Sequence, residues 1–195
     1  MQKPTRDRLV EAAIRRFYRD GFRSVGLDQI IADVGISKTA FYKHFESKDE
    51  LLLVTLESQN VRLQDAFRAI VCQRGGPTPI GQLHALFDVV EHFISDEGYH
   101  GCYFINAAME FPLPHEPAHI AASQNRAAIA EFVEQLATEA NASDPHALAQ
   151  ELCLIMEGAY VMQQVTGNAQ TIDVARRIAR LAIEAQCPAS VVNAT

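Results

Sequence analysis

The residues that interrupt regular structure in this sequence are spaced at intervals that match α-helices. Between the glycine and proline breaks, apolar residues recur every three or four positions, whereas the apolar–polar alternation typical of strands is scarce. This pattern predicts an all-α fold of about nine helices. It includes a third helix over residues 38–45 and a long helix from about residue 48 to 73, at whose start Ser47 and Glu50 have the spacing of a capping box.

Charge is divided unevenly along the chain. The net charge is −7, yet residues 1–48 hold ten basic and six acidic side chains, while residues 49–195 carry a large excess of acidic ones. A basic segment joined to an acidic one predicts that the basic segment alone contacts a polyanion such as DNA.

The sequence contains no sign of a membrane or an exported protein. No apolar run approaches the roughly 18 residues that a membrane-spanning helix needs. The charged start does not match a signal peptide, and the four cysteines are scattered without a C-x-x-C pair. We therefore expect a cytoplasmic protein with reduced cysteines and no membrane partner.

Two short helices inside the basic segment have the arrangement of a helix-turn-helix. Residues 27–34 form the first, Gly35 allows a tight turn, and Ser37 is a suitable N-cap for the second. Apolar residues at helical spacing would hold the two helices together; they are Ile30, Val34, Ile36 and Phe41. The same spacing also fits an ordinary three-helix bundle whose lysines and arginines are merely solvated.

The second short helix is expected to enter the major groove of double-stranded DNA with its N-terminal end toward the bases. Lysine and threonine can reach base edges, alanine can contact the thymine methyl group, and tyrosine or lysine can bind phosphates. The predicted DNA-contacting residues are Lys38, Thr39, Ala40, Tyr42, Lys43, His44 and Lys48.

Four short motifs between residues 21 and 51 carry a family resemblance. They are Gly21-Phe22, Val34-Gly35-Ile36-Ser37-Lys38, Phe41-Tyr42-Lys43-His44-Phe45 and Ser47-Lys48-Asp49-Glu50-Leu51. Together they resemble the N-terminal domain of the tetracycline-repressor (TetR) family of bacterial transcription regulators. The chain departs from the family pattern at Val25 and Gly26, where Thr or Ser is usual, so a side-chain cap is expected to be missing there.

The resemblance implies a domain organisation and a function. It implies a helix-turn-helix DNA-binding domain over residues 1–48 and a helical effector-binding and dimerisation domain over residues 49–195. The expected protein is a ligand-responsive regulator, in the main a repressor, which binds a palindromic operator as a homodimer and is released by a small-molecule effector. The sequence offers no catalytic constellation, so we expect neither enzymatic activity nor a cofactor.

Two sets of residues in the acidic part are predicted to form the effector site and the dimer interface. Apolar walls with a few polar groups suit a small-molecule site. The candidates are Asn60, Leu63, Phe67, Phe104, Asn106, Met109, Tyr160 and Gln163. Apolar stripes on the last two helices suit a four-helix bundle between subunits, although they also fit burial inside one subunit. The candidates are Leu148, Leu152, Ile155, Val174, Ile178 and Leu181.

Two further motifs allow other interpretations. His115 and His119 frame an H-E-x-x-H pattern like that of zinc proteases. Pro117 between them is tolerated only in the first turn of a helix, so a solvated helix start is favoured and no metal site is predicted. Cys102 follows Gly101 at a predicted helix start, a position that can make a thiol reactive. A small-molecule, redox or electrophile sensor is therefore the alternative function.

Overall fold

The computed structural model describes residues 3–187, and the regular structure within that range consists of nine α-helices. They are α1 (Thr5–Asp20), α2 (Leu27–Val34), α3 (Lys38–Phe41), α4 (Lys48–Gly75), α5 (Pro79–Ile94), α6 (Tyr103–Glu110), α7 (Pro117–Glu139), α8 (Pro145–Thr166) and α9 (Thr171–Gln186). The predicted all-α fold is confirmed. Across the same range, none of the helices combines the length and the apolar character that crossing a bilayer requires.

Side-chain caps begin α3 and α4 at the serines that the sequence indicates. The Ser37 hydroxyl accepts the Ala40 amide at 3.2 Å, and the Ser47 hydroxyl accepts the Glu50 amide at 3.0 Å. The second half of the capping box differs from the expectation, because the Glu50 carboxylate accepts the amide of Glu46 at 2.5 Å instead of that of Ser47. Each cap satisfies an amide that the first helical turn leaves without a partner.

The start of α2 has no side-chain cap from its own N-cap residue. Gly26 occupies that position, as the departure from the family pattern suggests. Gln29 compensates in part, since its side-chain oxygen accepts the Gly26 amide at 2.8 Å.

The third helix is shorter than the sequence predicts. It ends at Phe41 rather than at residue 45, and residues 42–44 form a turn. The His44 amide donates to the Phe41 carbonyl at 2.8 Å, a three-residue spacing that winds the chain more tightly than an α-helix. The tighter turn places Phe45 in the core, where its ring stacks on Phe41 with 5.7 Å between ring centroids.

One of the two compact units of the chain contains the helix-turn-helix. It comprises the chain up to Leu63 together with Cys102–Asn125. Its core is formed by buried side chains of α1, α2, α3, α6, the first half of α4 and the start of α7. Among them are Leu9, Ala13, Phe17, Ile30, Phe41, Leu51, Tyr103 and Phe104. Helix α6 therefore packs in the same unit as the helix-turn-helix.

The other unit comprises Gln64–Gly101 and the chain from Arg126 onward. In it, α5, α8 and α9 pack against one another. Arg176 of α9 forms ion pairs with Asp88 at 2.5 Å and with Glu91 at 2.7 Å, both on α5. This division describes packing; the functional boundary after residue 48 stays a prediction.

Candidate functional site

The helix-turn-helix is formed by α2, α3 and the turn between them. Gly35 ends α2 in the left-handed conformation, with φ +72° and ψ 41°, and its amide donates to the Ile31 carbonyl at 2.9 Å. Ile30 and Phe41 are both fully buried and hold the two helices together. A left-handed residue at this position favours glycine, which explains why a single glycine can make the turn.

The predicted DNA-contacting side chains of α3 and the following turn lie at the surface. We call them the reading surface: Lys38, Thr39, Ala40, Tyr42, Lys43 and His44. All are exposed except the half-buried Ala40. Tyr42 is 56% exposed even though its ring packs edge-on against Phe41, with 5.3 Å between the ring centroids. The surface thus presents cationic, hydroxyl and methyl groups on a buried support, which is the chemistry that base edges and phosphates require.

Lys38 is paired with an acidic residue of the neighbouring helix. Its ammonium group lies 2.8 Å from the Asp28 carboxylate, and this hydrogen bond raises the pKa of Lys38. Both side chains are exposed, so the pair contributes little to stability. Any contact between Lys38 and DNA has to compete with Asp28.

Lys48, the first residue of α4, contacts the backbone of its own unit. Its ammonium group donates to the carbonyls of Phe22 and Val25 at 3.2 and 2.8 Å. These two bonds use two of the three donors of the ammonium group and fix the loop between α1 and α2. A phosphate contact by Lys48 stays a prediction.

Two arginines of α1 form hydrogen bonds with α2. The number of basic residues in a segment does not distinguish this structural role from DNA binding. Arg16 donates to both carboxylate oxygens of Asp33 at 2.6 and 2.7 Å. Arg8 donates to the Val34 carbonyl at 2.5 Å, near the end of α2. The bidentate Arg16–Asp33 contact is the stronger kind of ion pair. Together with the Arg8 hydrogen bond, it connects α1 to α2.

Five of the eight predicted effector residues belong to the unit that contains the helix-turn-helix. Phe104 is buried, Leu63 and Asn106 are half-buried, and Asn60 accepts the Asn125 side-chain amide at 2.7 Å. Met109 is 77% exposed and so cannot line an enclosed wall within this unit.

The buried side chain of Gln59, which the sequence did not single out, lies on α4 close in sequence to Asn60 and Leu63. Gln59 is 5% exposed, and its side-chain oxygen has no hydrogen-bond partner among the described residues. Gln59 and Leu63 are four residues apart and share a helix face. A buried acceptor without a partner is a position where a ligand or water can bind.

The other three predicted effector residues belong to the second unit. Phe67 is buried and packs edge-on against Phe132, with 6.1 Å between ring centroids. The Tyr160 carbonyl accepts the Tyr99 hydroxyl at 2.9 Å. The side-chain oxygen of Gln163 is buried and has no partner within residues 3–187.

The predicted dimer residues divide into two groups. Val174, Ile178 and Leu181 are 43%, 46% and 63% exposed, so they are available to a partner. Leu148 and Leu152 are fully buried inside their own subunit and have no surface left for a partner, so we omit them from the interface. The half-buried Ile155 stays a prediction. Other exposed apolar residues on α8 include Leu154, Val161 and Val165, which the sequence did not single out.

The H-E-x-x-H motif does not present its side chains together. Pro117 begins α7, so His115 lies before the helix, while His119 hydrogen-bonds the Phe111 carbonyl at 2.8 Å. Glu116 pairs with Arg23 at 2.8 Å. Nowhere between residues 3 and 187 do three or more His, Cys, Asp or Glu side chains form a group that could hold a metal ion.

Comparison with known families identifies both parts of the chain. Residues 9–55 match the family described as bacterial regulatory proteins, tetR family, and residues 79–179 match the tetracyclin repressor-like C-terminal domain. The second match alone covers more than half of the chain. The chain belongs to the tetR family of bacterial regulatory proteins and is a helix-turn-helix transcription regulator rather than an enzyme.

Relatives and solved structures agree with this assignment. The HTH-type transcriptional regulator YjdC of Escherichia coli (strain K12) is 23% identical over 174 residues, which is 89% of this chain and 91% of YjdC. The crystal structure of SCO4454, a TetR-family transcriptional regulator from Streptomyces coelicolor, matches with a TM-score of 0.88 and 26% identity, over 94% of this chain and 90% of that one. The regulator sav143 from Streptomyces avermitilis matches with a TM-score of 0.79 and 28% identity, over 94% and 98%.

These findings decide between the two functions that the sequence allows. Regulators of this family are ligand-responsive repressors that bind DNA and typically act as dimers. A sensor built on Cys102 without DNA binding is not favoured.

Proposed function

We propose that this regulator binds a roughly palindromic DNA operator as a homodimer in the cytoplasm and leaves it when a small effector binds. The observation that carries the proposal is the reading surface, whose exposed side chains flank the buried Phe41 in the sequence. Phosphate contacts from its lysines would give affinity, and contacts from Thr39 and Ala40 to base edges would give sequence preference.

The dimer is supported by the exposed apolar residues of the last two helices. Apart from Met162, which is also exposed, we call them the α8–α9 face: Leu154, Val161, Val165, Val174, Ile178 and Leu181. On each helix they follow spacings of three, four or seven residues, so they line one side. Two such faces, one from each subunit, would bury each other in a four-helix bundle. A symmetric pair of reading surfaces then explains a palindromic operator.

The effector site is proposed in the unit that contains α6. Phe104, Asn106 and Leu63 provide partly apolar surroundings, and the unpartnered oxygen of the buried Gln59 supplies a hydrogen-bond acceptor. We infer an effector that carries at least one hydrogen-bond donor. To release DNA, the effector needs a higher affinity for the arrangement that does not fit the operator, and a coupling of about 1–3 kcal/mol is typical.

The DNA-binding part of the proposal is tested by removing one exposed charge. We expect Lys43→Ala to weaken binding to the duplex upstream of the chain's own gene, because each subunit of the dimer loses one phosphate contact. A dimer therefore loses two contacts, and the slope of log affinity against log salt should fall by roughly two. Gel-shift titrations at several salt concentrations measure both quantities.

Arg62→Ala is the matched control. It also removes one exposed cation, but from α4, well along the chain from the reading surface. Sedimentation should show that both variants keep the oligomeric state of the unaltered chain. If Lys43→Ala binds DNA as the unaltered chain does, the reading surface is misplaced.

A further inference from the structure

The carboxylate of Glu110, the last residue of α6, binds the loop that leads into the helix-turn-helix. One carboxylate oxygen accepts the Phe22 amide at 2.9 Å, and the other accepts the Arg23 amide at 2.7 Å. The Arg23 side chain returns the contact, since its Nε donates to the Glu110 carbonyl at 2.6 Å. We call this reciprocal set of bonds between Glu110 and residues 22–23 the Glu110 clamp.

Neighbouring residues hold the clamp in place. Arg23 Nη2 donates to Glu116 at 2.8 Å, and its guanidinium lies 4.5 Å from the centroid of the Phe111 ring. Gly21 has φ +89°, and a Cβ atom there would lie 3.1 Å from a carboxylate oxygen of Glu110. Glycine at position 21 therefore meets both the backbone conformation and the close approach of the carboxylate.

The clamped loop positions the start of α2. Phe22 within it is buried, and its ring packs on Phe17 and Tyr103 at centroid distances of 5.7 and 5.0 Å. Lys48 donates to the carbonyls of Phe22 and Val25. The loop is thus held by a carboxylate on its amides and by an ammonium group on its carbonyls, which leaves it few alternative positions.

We propose that Glu110 is a positioning residue that couples the effector site to the reading surface. The coupling rests on the proposed function, because Phe104 and Asn106 on the same helix are proposed effector contacts. A helix rises about 1.5 Å per residue, so Phe104 and Glu110 are about 9 Å apart along α6. A shift of this short helix moves the carboxylate, and with it the loop that carries α2 and α3. This route acts through the Glu110 carboxylate, whereas α4 contacts the same loop through Lys48.

A carboxylate is the side chain that suits this position. Two backbone amides need two acceptors, and hydrogen bonds to a charged acceptor are stronger than neutral ones. Glutamine in its place can offer one acceptor oxygen, and its NH₂ group would face the second amide. Glu110→Gln therefore loosens the clamp, and Glu110→Ala removes it.

The test uses the reciprocity of coupled sites: if α6 affects DNA binding, DNA binding affects α6 equally. The full chain is bound at saturation to the duplex from upstream of its own gene, and deuterium uptake of peptides covering residues 102–111 is compared with the free state. In the unaltered chain we expect DNA to slow this uptake. In Glu110→Ala that slowing is lost, and DNA affinity falls about tenfold because two amides lose a charged partner.

Glu57→Ala is the matched control, since it removes an exposed carboxylate from α4 in the same unit. A purely structural role of Glu110 would lower thermal stability but leave the DNA-dependent slowing intact, and that result overturns the proposal. If Glu110→Ala does not fold, Glu110→Gln takes its place with the same criterion.

An unaltered chain that binds the duplex without slowing exchange in residues 102–111 also overturns the proposed coupling, while DNA binding stands. An unaltered chain that fails to bind the duplex overturns the proposed function, and the coupling with it.

Discussion

The helix-turn-helix and the α8–α9 pair both carry apolar residues every three or four positions, yet they use them differently. In the helix-turn-helix, Ile30, Val34 and Phe41 are buried in their own unit. On α8 and α9 the apolar residues divide between a buried side, which includes Leu148, and an exposed side, which includes Leu181. A helix with apolar residues on two sides has more surface to bury than one subunit can cover, and this excess indicates a partner.

The largest effect should come from truncating the buried support of the reading surface. We expect Phe41→Ala to reduce the free energy of unfolding by roughly 3–5 kcal/mol, because it removes a fully buried ring from the core. Tyr42→Ala, one residue further, removes an exposed ring and should cost less than about 1 kcal/mol. Urea denaturation of both variants measures the difference. Equal losses would contradict the division between support and surface.

The next largest effect should come from placing a charge on the exposed side of α9. We expect Leu181→Glu to weaken dimerisation by roughly 2–4 kcal/mol while each subunit stays folded, because the carboxylate would lose its water at the interface. Analytical ultracentrifugation measures the dissociation constant. Leu53→Glu is the control, since Leu53 is exposed on α4. A dimer that tolerates Leu181→Glu would exclude the α8–α9 face as the interface.

The features that could be predicted from the sequence depend on short-range patterns. The Gly35 turn, the Ser37 cap and the exposed residues of α3 depend on spacings of a few residues, which fix the buried side of each short helix. The early end of α3 was missed because it depends on Phe45 entering the core. That contact belongs to tertiary packing and leaves no local signal.

Contacts between distant residues explain what could not be predicted. Glu110 meets Phe22 across 88 positions of the chain, and the pair has no pattern that spacing could reveal. The sequence also could not distinguish the surroundings of the lysines. Lys43 is exposed, whereas Lys48 donates hydrogen bonds to two backbone carbonyls. On α8, helical spacing located the stripes but could not distinguish the side that faces the core from the side that faces a partner.

The smallest expected effect concerns two exposed ion pairs that should respond to pH in opposite directions. In the first unit, hydrogen bonds from Arg19 and then Arg16 lower the pKa of Asp20 from 3.8 to about 2. In the second unit, the hydrogen bond with Glu134 raises the pKa of His146 above 6.5. Because folding lowers the pKa of Asp20, the ionised carboxylate stabilises the fold above pH 3.8. This stabilisation is lost as the pH falls from 3.8 toward 2. Because folding raises the pKa of His146, the protonated imidazole stabilises the fold below pH 6.5. This stabilisation is lost as the pH rises through the pKa of the folded chain.

NMR titration of the two side chains separates these effects. We expect the Asp20 midpoint well below 3.8 in the unaltered chain, and closer to 3.8 in Arg19→Ala, because the largest contribution to the shift is removed. The His146 midpoint should lie above 6.5 and return toward it in Glu134→Ala. We expect the two shifts to be independent because the residues that cause them are different. If Arg19→Ala also moved the His146 midpoint, the pairs would be coupled, and the treatment of the two regions as separate electrostatic environments would fail.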